Sequence, residues 1–184
     1  EKYDAKGIRL TTRQNFIVYG VKNEFAKQLA DEFDALGYPY KPNTFRGIIQ
    51  SCTGKEFCKF GITETKNYTN SLIKYLEDKC SDFDEYIKIS VSGCGNACSH
   101  SQISDIGLIG CKTRVDGQRV EAYDIQLGGH LQGTIKSKFA QSSKLKIPAD
   151  EVPSFIEKLI NDYKKDNLNS KSFKEYLTKI DLSS

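Results

Sequence analysis

The chain has no methionine and no tryptophan, and among its 184 residues only two histidines and four prolines. No apolar run approaches the ~20 residues that a membrane-spanning helix needs, so a membrane protein is not expected. No low-complexity tract interrupts it. The formal net charge is +3, too small to point to nucleic acid as a partner. No secretory signal is visible, so a cytoplasmic setting is expected, where thiols stay reduced. The chain begins at Glu1 and contains no Met, which is expected of a piece of a longer protein. Its length suffices for a proper core, and 38% hydrophobic with 28% charged residues fits a folded domain in water.

Against those absences stand six cysteines, four of them in two tight pairs. Cys52 and Cys58 are spaced C-x5-C; Cys94 and Cys98 are spaced C-x3-C, about 35 residues further on. Four thiolates can hold a 4Fe-4S cluster, one to each iron. The flanking sequences, Ser51-Cys52-Thr53-Gly54 and Ser92-Gly93-Cys94-Gly95-Asn96, are glycine-bearing, which lets backbone come close to a bulky inorganic group. Two other readings stay open at this level. The cysteines could be buried or disulfide-bonded, or they could bind zinc, although zinc pairs are usually two to four residues apart and C-x5-C is wider. Cys80 and Cys111 lie outside the pairs and read as packing residues.

The pattern along the chain is mixed. Gly7–Leu10 and Phe16–Tyr19 read as strands. Asn23 is placed to cap a helix carrying Phe25, Ala26, Leu29, Ala30, Phe33 and Leu36, with Gly37 as its stop. A second helical pattern runs through Leu72, Ile73 and Leu76. Tyr86–Val91 alternates and reads as a strand ending at the second cysteine pair. Ile106–Cys111 and Val120–Leu127 read as a hairpin turning at Asp116-Gly117. Gly128 to Ser143 reads as a polar, basic loop with His130 exposed. Asp150 is placed to cap a helix carrying Val152, Phe155, Ile156, Leu159, Ile160 and Tyr163, and a last short helix spans Ser172 to Ile180. This argues for an α+β fold with a mixed or antiparallel sheet and flanking helices.

The segments C-T-G-K-E-F-C-K-F-G-I-T-E-T-K, S-G-C-G-N-A-C-S-H-S-Q-I-S-D-I-G-L-I-G and, near the start, G-I-R-L-T-T-R-Q-N-F-I-V-Y-G-V together resemble the siroheme-dependent sulfite and nitrite reductases. The likeness runs from Lys6 to about Ile160. Gly95 stands where that family usually has proline. The family usually carries two such halves in one chain, and this chain carries one. The resemblance implies three parts: a partial ferredoxin-like half-domain over 1-43, a siroheme and 4Fe-4S reductase domain over 44-165, and a helical tail over 166-184.

It also implies residue roles. Cys52, Cys58, Cys94 and Cys98 would ligate the cluster, and Cys98 would be shared with the siroheme iron. Arg13 and Arg46 match arginines that the family sets over the substrate; surface ion pairs are the alternative. Guanidinium suits an oxyanion because it is always charged and presents two parallel donors. Lys88 and Lys112 are further cationic candidates, and Arg9 a siroheme-carboxylate contact or a structural residue. Thr53, Gly54, Asn96 and Ser99 would donate to cluster sulfides or siroheme carboxylates. His100 is expected at the surface or packed. The implied activity is sulfite to sulfide, or nitrite to ammonia, fed by an electron donor such as ferredoxin or a reductase subunit. The lysines from Lys136 to Lys146 are a solvated loop or a docking face for that donor. A second half-repeat or partner copy would complete the site. A non-catalytic electron-transfer module is the competing expectation; the arginine pair speaks against it, since a pure electron carrier needs no oxyanion clamp.

Overall fold

The computed structural model describes residues 2–131, 136–165 and 170–180. It divides into two compact units, Glu1–Gly47 and Ile48–Ser184. Of the expected tail over 166-184, residues 166–169 and 181–184 lie outside the described residues.

In the first unit an antiparallel ribbon joins β1 (Gly7–Leu10) to β2 (Phe16–Tyr19), with Gly7 opposite Tyr19 and Leu10 opposite Phe16. Helix α1 follows over Asn23–Ala35. The expected cap is off by one residue: Lys22 holds the extended N-cap backbone and Asn23 is already helical, with no side-chain cap bond. The far end closes as expected. Gly37 N–H donates to Asp34 O and Tyr38 N–H to Phe33 O, the paired bonds of a Schellman motif. Phe16 packs between Phe33 and Tyr38, at ring-centre distances of 5.4 and 6.3 Å.

The second unit is built on a five-stranded mixed sheet in the order β3-β4-β5-β6-β7. The strands are β3 (Gln50–Ser51), β4 (Ile89–Ser92), β5 (Ile106–Val115), β6 (Gln118–Leu127) and β7 (Gln141–Pro148). β3, β4 and β5 are mutually parallel; β5, β6 and β7 alternate. Helix α2 (Lys66–Lys79) lies in the crossover from β3 to β4, and α3 (Val152–Lys165) and α4 (Phe173–Lys179) follow the sheet. All four residues of β4 are buried, as in a parallel strand covered on both faces. The core is Leu72, Ile73 and Leu76 of α2, Ile89 and Val91, Ile106 and Leu108, Tyr123 and Ile125, Val152, Ile156 and Ile160 of α3, and Phe173 and Leu177 of α4. Phe173 sits in an aromatic cluster with Phe83 and Tyr163, each 5.3 Å away.

Several expectations shift here. The strand expected from Tyr86 begins only at Ile89, because the Lys88 amide is taken by the Asp105 carboxylate at 2.7 Å and leaves the ladder. The hairpin is longer than expected on both sides and turns at Asp116 and Gly117, both left-handed, as a two-residue I′ turn requires. Gln141–Pro148 is a strand and not the end of a loop, so Lys144 and Lys146 belong to β7. His130 is 3% exposed: it bridges Lys138 through both backbone groups, and its ring nitrogens face Gly128 O and Lys136 O. The first bond of α3 runs from Phe155 N–H to Glu151 O, which puts Glu151 and not Asp150 at the N-cap. Ser172 caps α4 by accepting from Glu175 N–H at 3.2 Å.

Candidate iron–sulfur site

Parallel pairing brings the cysteine segments together. Ser51 is opposite Val91, so β3 and β4 end side by side and release Cys52 and Cys94 at the same end of the sheet. Cys52 N–H prolongs the ladder onto Val91 O at 3.0 Å. Gly93 N–H then points at the Cys52 sulfur, 3.1 Å away. The Gly93 carbonyl accepts from both Ile62 N–H (2.7 Å) and Thr63 N–H (3.1 Å), at the far end of the first cysteine loop. Within that loop Cys58 N–H donates to Gly54 O and Gly61 N–H to Cys58 O. Gly93 therefore joins the two cysteine loops by three bonds.

Several glycines have no room for a side chain, among them Gly54 and Gly110. Gly54 is left-handed (φ +79°), and a Cβ there would lie 2.4 Å from Thr65 Oγ1, the hydroxyl that donates to Cys52 O. A Cβ on Gly110 of β5 would lie 2.5 Å from Gly93 O. The loops thus pack backbone against backbone, and the sulfurs are left reachable: Cys52, Cys58 and Cys94 are half-buried and Cys98 is exposed. All six cysteines are free. Burial pushes the Cys80 and Cys111 thiols up, away from the reactive thiolate form.

A residue that sequence reasoning missed clamps the first loop. Glu121 on β6 pairs with the Lys55 ammonium, inside the C-x5-C segment, and accepts from Glu64 N–H at 3.0 Å just beyond it. Burial pushes the Glu121 carboxyl up, but the Lys55 and Glu64 hydrogen bonds and nearby Lys112 outweigh it and hold the group below the usual glutamate range. Lys112 stands directly opposite Glu121 in the β5–β6 pair. Nothing in the motif marks Glu121; only the strand register finds it.

Thr53 and Asn96 are exposed beside the cysteines, and His100 is exposed and left-handed (φ +61°) just after them. Lys88 and Cys94 lie at opposite ends of β4, Lys88 just before it and Cys94 two residues after it. Arg9, Arg13 and Arg46 lie in the first unit. Arg9 stacks its guanidinium on the Tyr19 ring at 4.6 Å. Arg13 is exposed in the β1–β2 turn, and Arg46 is exposed next to Gly47. A long hydrogen bond, Asn15 Nδ2 to Gly47 O at 3.5 Å, ties that turn to the Arg46 segment.

Among the described residues no three His, Cys, Asp or Glu side chains are grouped to hold a single metal ion. Each of the two loops that leave the sheet side by side carries a pair of cysteines, Cys52 and Cys58 on one and Cys94 and Cys98 on the other. Compared with known proteins, residues 45–183 match the family model of the nitrite and sulphite reductase 4Fe-4S domain. The chain belongs to this family. It is 34% identical over 179 residues to the assimilatory ferredoxin-dependent nitrite reductase of Haloferax mediterranei, covering 96% of this chain and 30% of that protein. It is 29% identical over 188 residues to a ferredoxin sulfite reductase of Mycolicibacterium paratuberculosis, covering 98% and 33%. The solved structure of the Mycobacterium tuberculosis NirA protein superposes with a TM-score of 0.88 at 26% identity, over 98% of this chain and 34% of that one. The chain thus spans about a third of the length of these relatives. The membership implies a 4Fe-4S cluster and siroheme, and the residues fit the cluster: four free, reachable thiols, a glycine at the close approach of the two loops, and an amide aimed at one sulfur.

Proposed function

We propose that this chain is the iron–sulfur portion of a siroheme-dependent reductase that converts sulfite to sulfide, with nitrite to ammonia as the alternative served by the same residues. The observation that carries this reading is the fastening of both cysteine loops at Gly93. When bound, the cluster and siroheme would pass to the substrate, one at a time, the six electrons that an external donor supplies, a task no side chain can perform. The chain's own residues do the rest. Cys52, Cys58, Cys94 and Cys98 would hold the cluster, and exposed Cys98 would also serve the siroheme iron. Backbone donors such as Gly93 N–H withdraw charge from the sulfurs and tune the potential. Arg13 and Arg46 bind the oxyanion and stabilise the charge that moves onto its oxygens. Arg9, Thr53 and Asn96 are assigned to siroheme carboxylates or cluster sulfides.

Ferredoxin is the proposed electron donor, as the names of the relatives above suggest for those proteins, and a second half-repeat or partner copy completes the site. No helix among the described residues is long and apolar enough to cross a membrane. We place the enzyme in the cytoplasm, which six unpaired thiols favour. The nitrite alternative is favoured by the 34% identity to a nitrite reductase. The test is an anaerobic visible spectrum with iron and sulfide analysis on full-length protein, followed by sulfite and nitrite turnover side by side. Siroheme bands with four further irons are expected. A cluster without siroheme would reduce the chain to an electron-transfer module, and a protein that stays colourless after anaerobic reconstitution would overturn the proposal.

A further inference from the structure

The backbone between Cys94 and Cys98 is bent in a way the sequence does not favour. Ala97 (φ +50°) and His100 (φ +61°) are both left-handed although both carry a Cβ. Ala97 N–H donates to Cys94 O at 3.2 Å, and His100 N–H to Ala97 O at 2.8 Å, so two turns follow each other within seven residues. Such conformations persist only where the surroundings over-determine them.

The surroundings are a buried cluster of hydroxyls behind the bend. Ser92 Oγ, at the end of β4, lies 2.6 Å from Ser99 Oγ and 2.9 Å from Ser101 Oγ, and accepts from Ser99 N–H at 3.3 Å. Ser99 O in turn accepts from Gln50 Nε2 at 2.7 Å, and the same nitrogen reaches Ser90 Oγ at 3.2 Å. Ser90 Oγ pairs with Ser104 Oγ at 2.6 Å, and Ser104 Oγ donates to His100 O at 2.9 Å. None of these six residues is more than 5% exposed. In a dry interior each bond counts for more than at the surface, and a missing partner leaves the others unsatisfied.

We propose that Ser92 is a positioning residue for Cys98. Its hydroxyl is fixed by the strand and grips the residue that follows Cys98, so one peptide bond transmits the grip to the thiolate. The cysteine segment is closed like an arch, with one foot on β4 and the other on Ser99. Serine suits the post because a hydroxyl donates once and accepts twice, which serves two hydroxyls and one amide together. This rests on the reading that the four cysteines hold the cluster.

The test uses the full-length protein, reconstituted anaerobically, unaltered and as Ser92→Ala, Ser92→Thr and Ser143→Ala. Ser143 is the control: it is a buried serine on β7 whose hydroxyl donates to Ile125 O (2.7 Å) and accepts from Leu145 N–H (3.1 Å), away from the cysteines. The readouts are the EPR spectrum and midpoint potential of the reduced cluster, the rate of iron loss to a chelator, and the melting temperature. Ser92→Ala should alter the EPR line shape, shift the potential and speed iron loss about tenfold, the scale set by stranding buried polar groups. Ser92→Thr, which keeps the hydroxyl, should restore most of this. Ser143→Ala should lower the melting temperature and leave the cluster readouts unchanged. If Ser92→Ala lowers the melting temperature with unchanged spectrum, potential and iron loss, Ser92 is merely structural and the proposal falls. Should Ser92→Ala not fold, Ser101→Ala removes the 2.9 Å contact to Ser92 Oγ and a long one to Ser99 Oγ at 3.4 Å, leaving the Ser92–Ser99 bond in place; smaller changes of the same kind support the proposal, and unchanged cluster readouts sink it. An unaltered protein that takes up no cluster would instead overturn the cofactor reading and this proposal with it.

Discussion

Helices α1 and α3 are nearly equal in length, 13 and 14 residues, and both are two-faced in sequence. Yet α3 buries Val152, Ile156, Leu159 and Ile160, while α1 buries no residue. In α1 the stripe of Phe25, Leu29, Ala30 and Phe33 stays half-buried and Leu36 at its end is 71% exposed. The difference lies in what each unit offers a helix. A ribbon of two four-residue strands has little area to give, whereas a five-stranded sheet with three helices encloses its apolar faces. An amphipathic pattern states which face would be buried; the neighbouring surface decides how far.

The largest effect that would break this comparison comes from the ligands. Cys58→Ser and Cys98→Ser should each abolish 4Fe-4S content, read by iron and sulfide analysis, with the first unit untouched. Next in size, Arg13→Ala combined with Arg46→Ala should leave iron content and spectrum intact and cut kcat/KM for sulfite or nitrite by about 100-fold or more, the usual loss for removed charge stabilisation. Iron loss in that variant would mean the arginines serve the cofactor and not the anion. A direct measure of the two helices comes third. In urea unfolding, Ile156→Ala should cost about 2–5 kcal/mol, as for a fully enclosed aliphatic side chain, and Leu29→Ala less than about 1 kcal/mol. Equal costs would erase the contrast. Gly54→Ala should cost about 1–3 kcal/mol through its left-handed backbone and the crowding of Thr65.

The smallest effect concerns pH. Glu121 is held below the ordinary glutamate range in the folded protein, so the unfolded chain binds a proton first as pH falls. Its contribution is therefore complete above that range and is lost as pH drops through it toward the folded value. The melting temperature should fall with acidification across that window, and Glu121→Gln should flatten the slope. An unchanged slope would show that the Lys55–Glu121 pair does not stabilise the loop.

Much of the fold was legible because its signals are local. β1 and β2 have the expected bounds, and the helical stripes and the Asp116-Gly117 turn lie where the periodicity puts them. The misses are those where partners decide. β7 has few apolar residues, Leu145 and Ile147 set among Ser142, Ser143, Lys144 and Lys146, and becomes a strand because β6 offers it an edge. The hairpin outran its apolar stretch because Thr113, Arg114 and Val115 extend it through backbone pairing alone. His130 reads as polar loop but is buried by bonds that side-chain chemistry does not announce. At the site, the two cysteine pairs stand out by their spacing. The serines behind Cys98 did leave a trace: Ser90 and Ser92 alternate with Ile89 and Val91 in a strand buried on both sides, so their hydroxyls had to meet partners inside.

The parallel pairing of β3 with β4 also sets an order in time. The β5–β6 hairpin needs only a two-residue turn and can zip on the microsecond scale. Bringing Gln50 to Ser90 means closing a stretch of 40 residues, and such distant pairing is slow in any topology. Until that closure happens, Cys52 and Cys58 belong to a different part of the chain from Cys94 and Cys98. In the proposed reading, cluster assembly waits for this closure, and during that interval the four thiols remain open to oxidants.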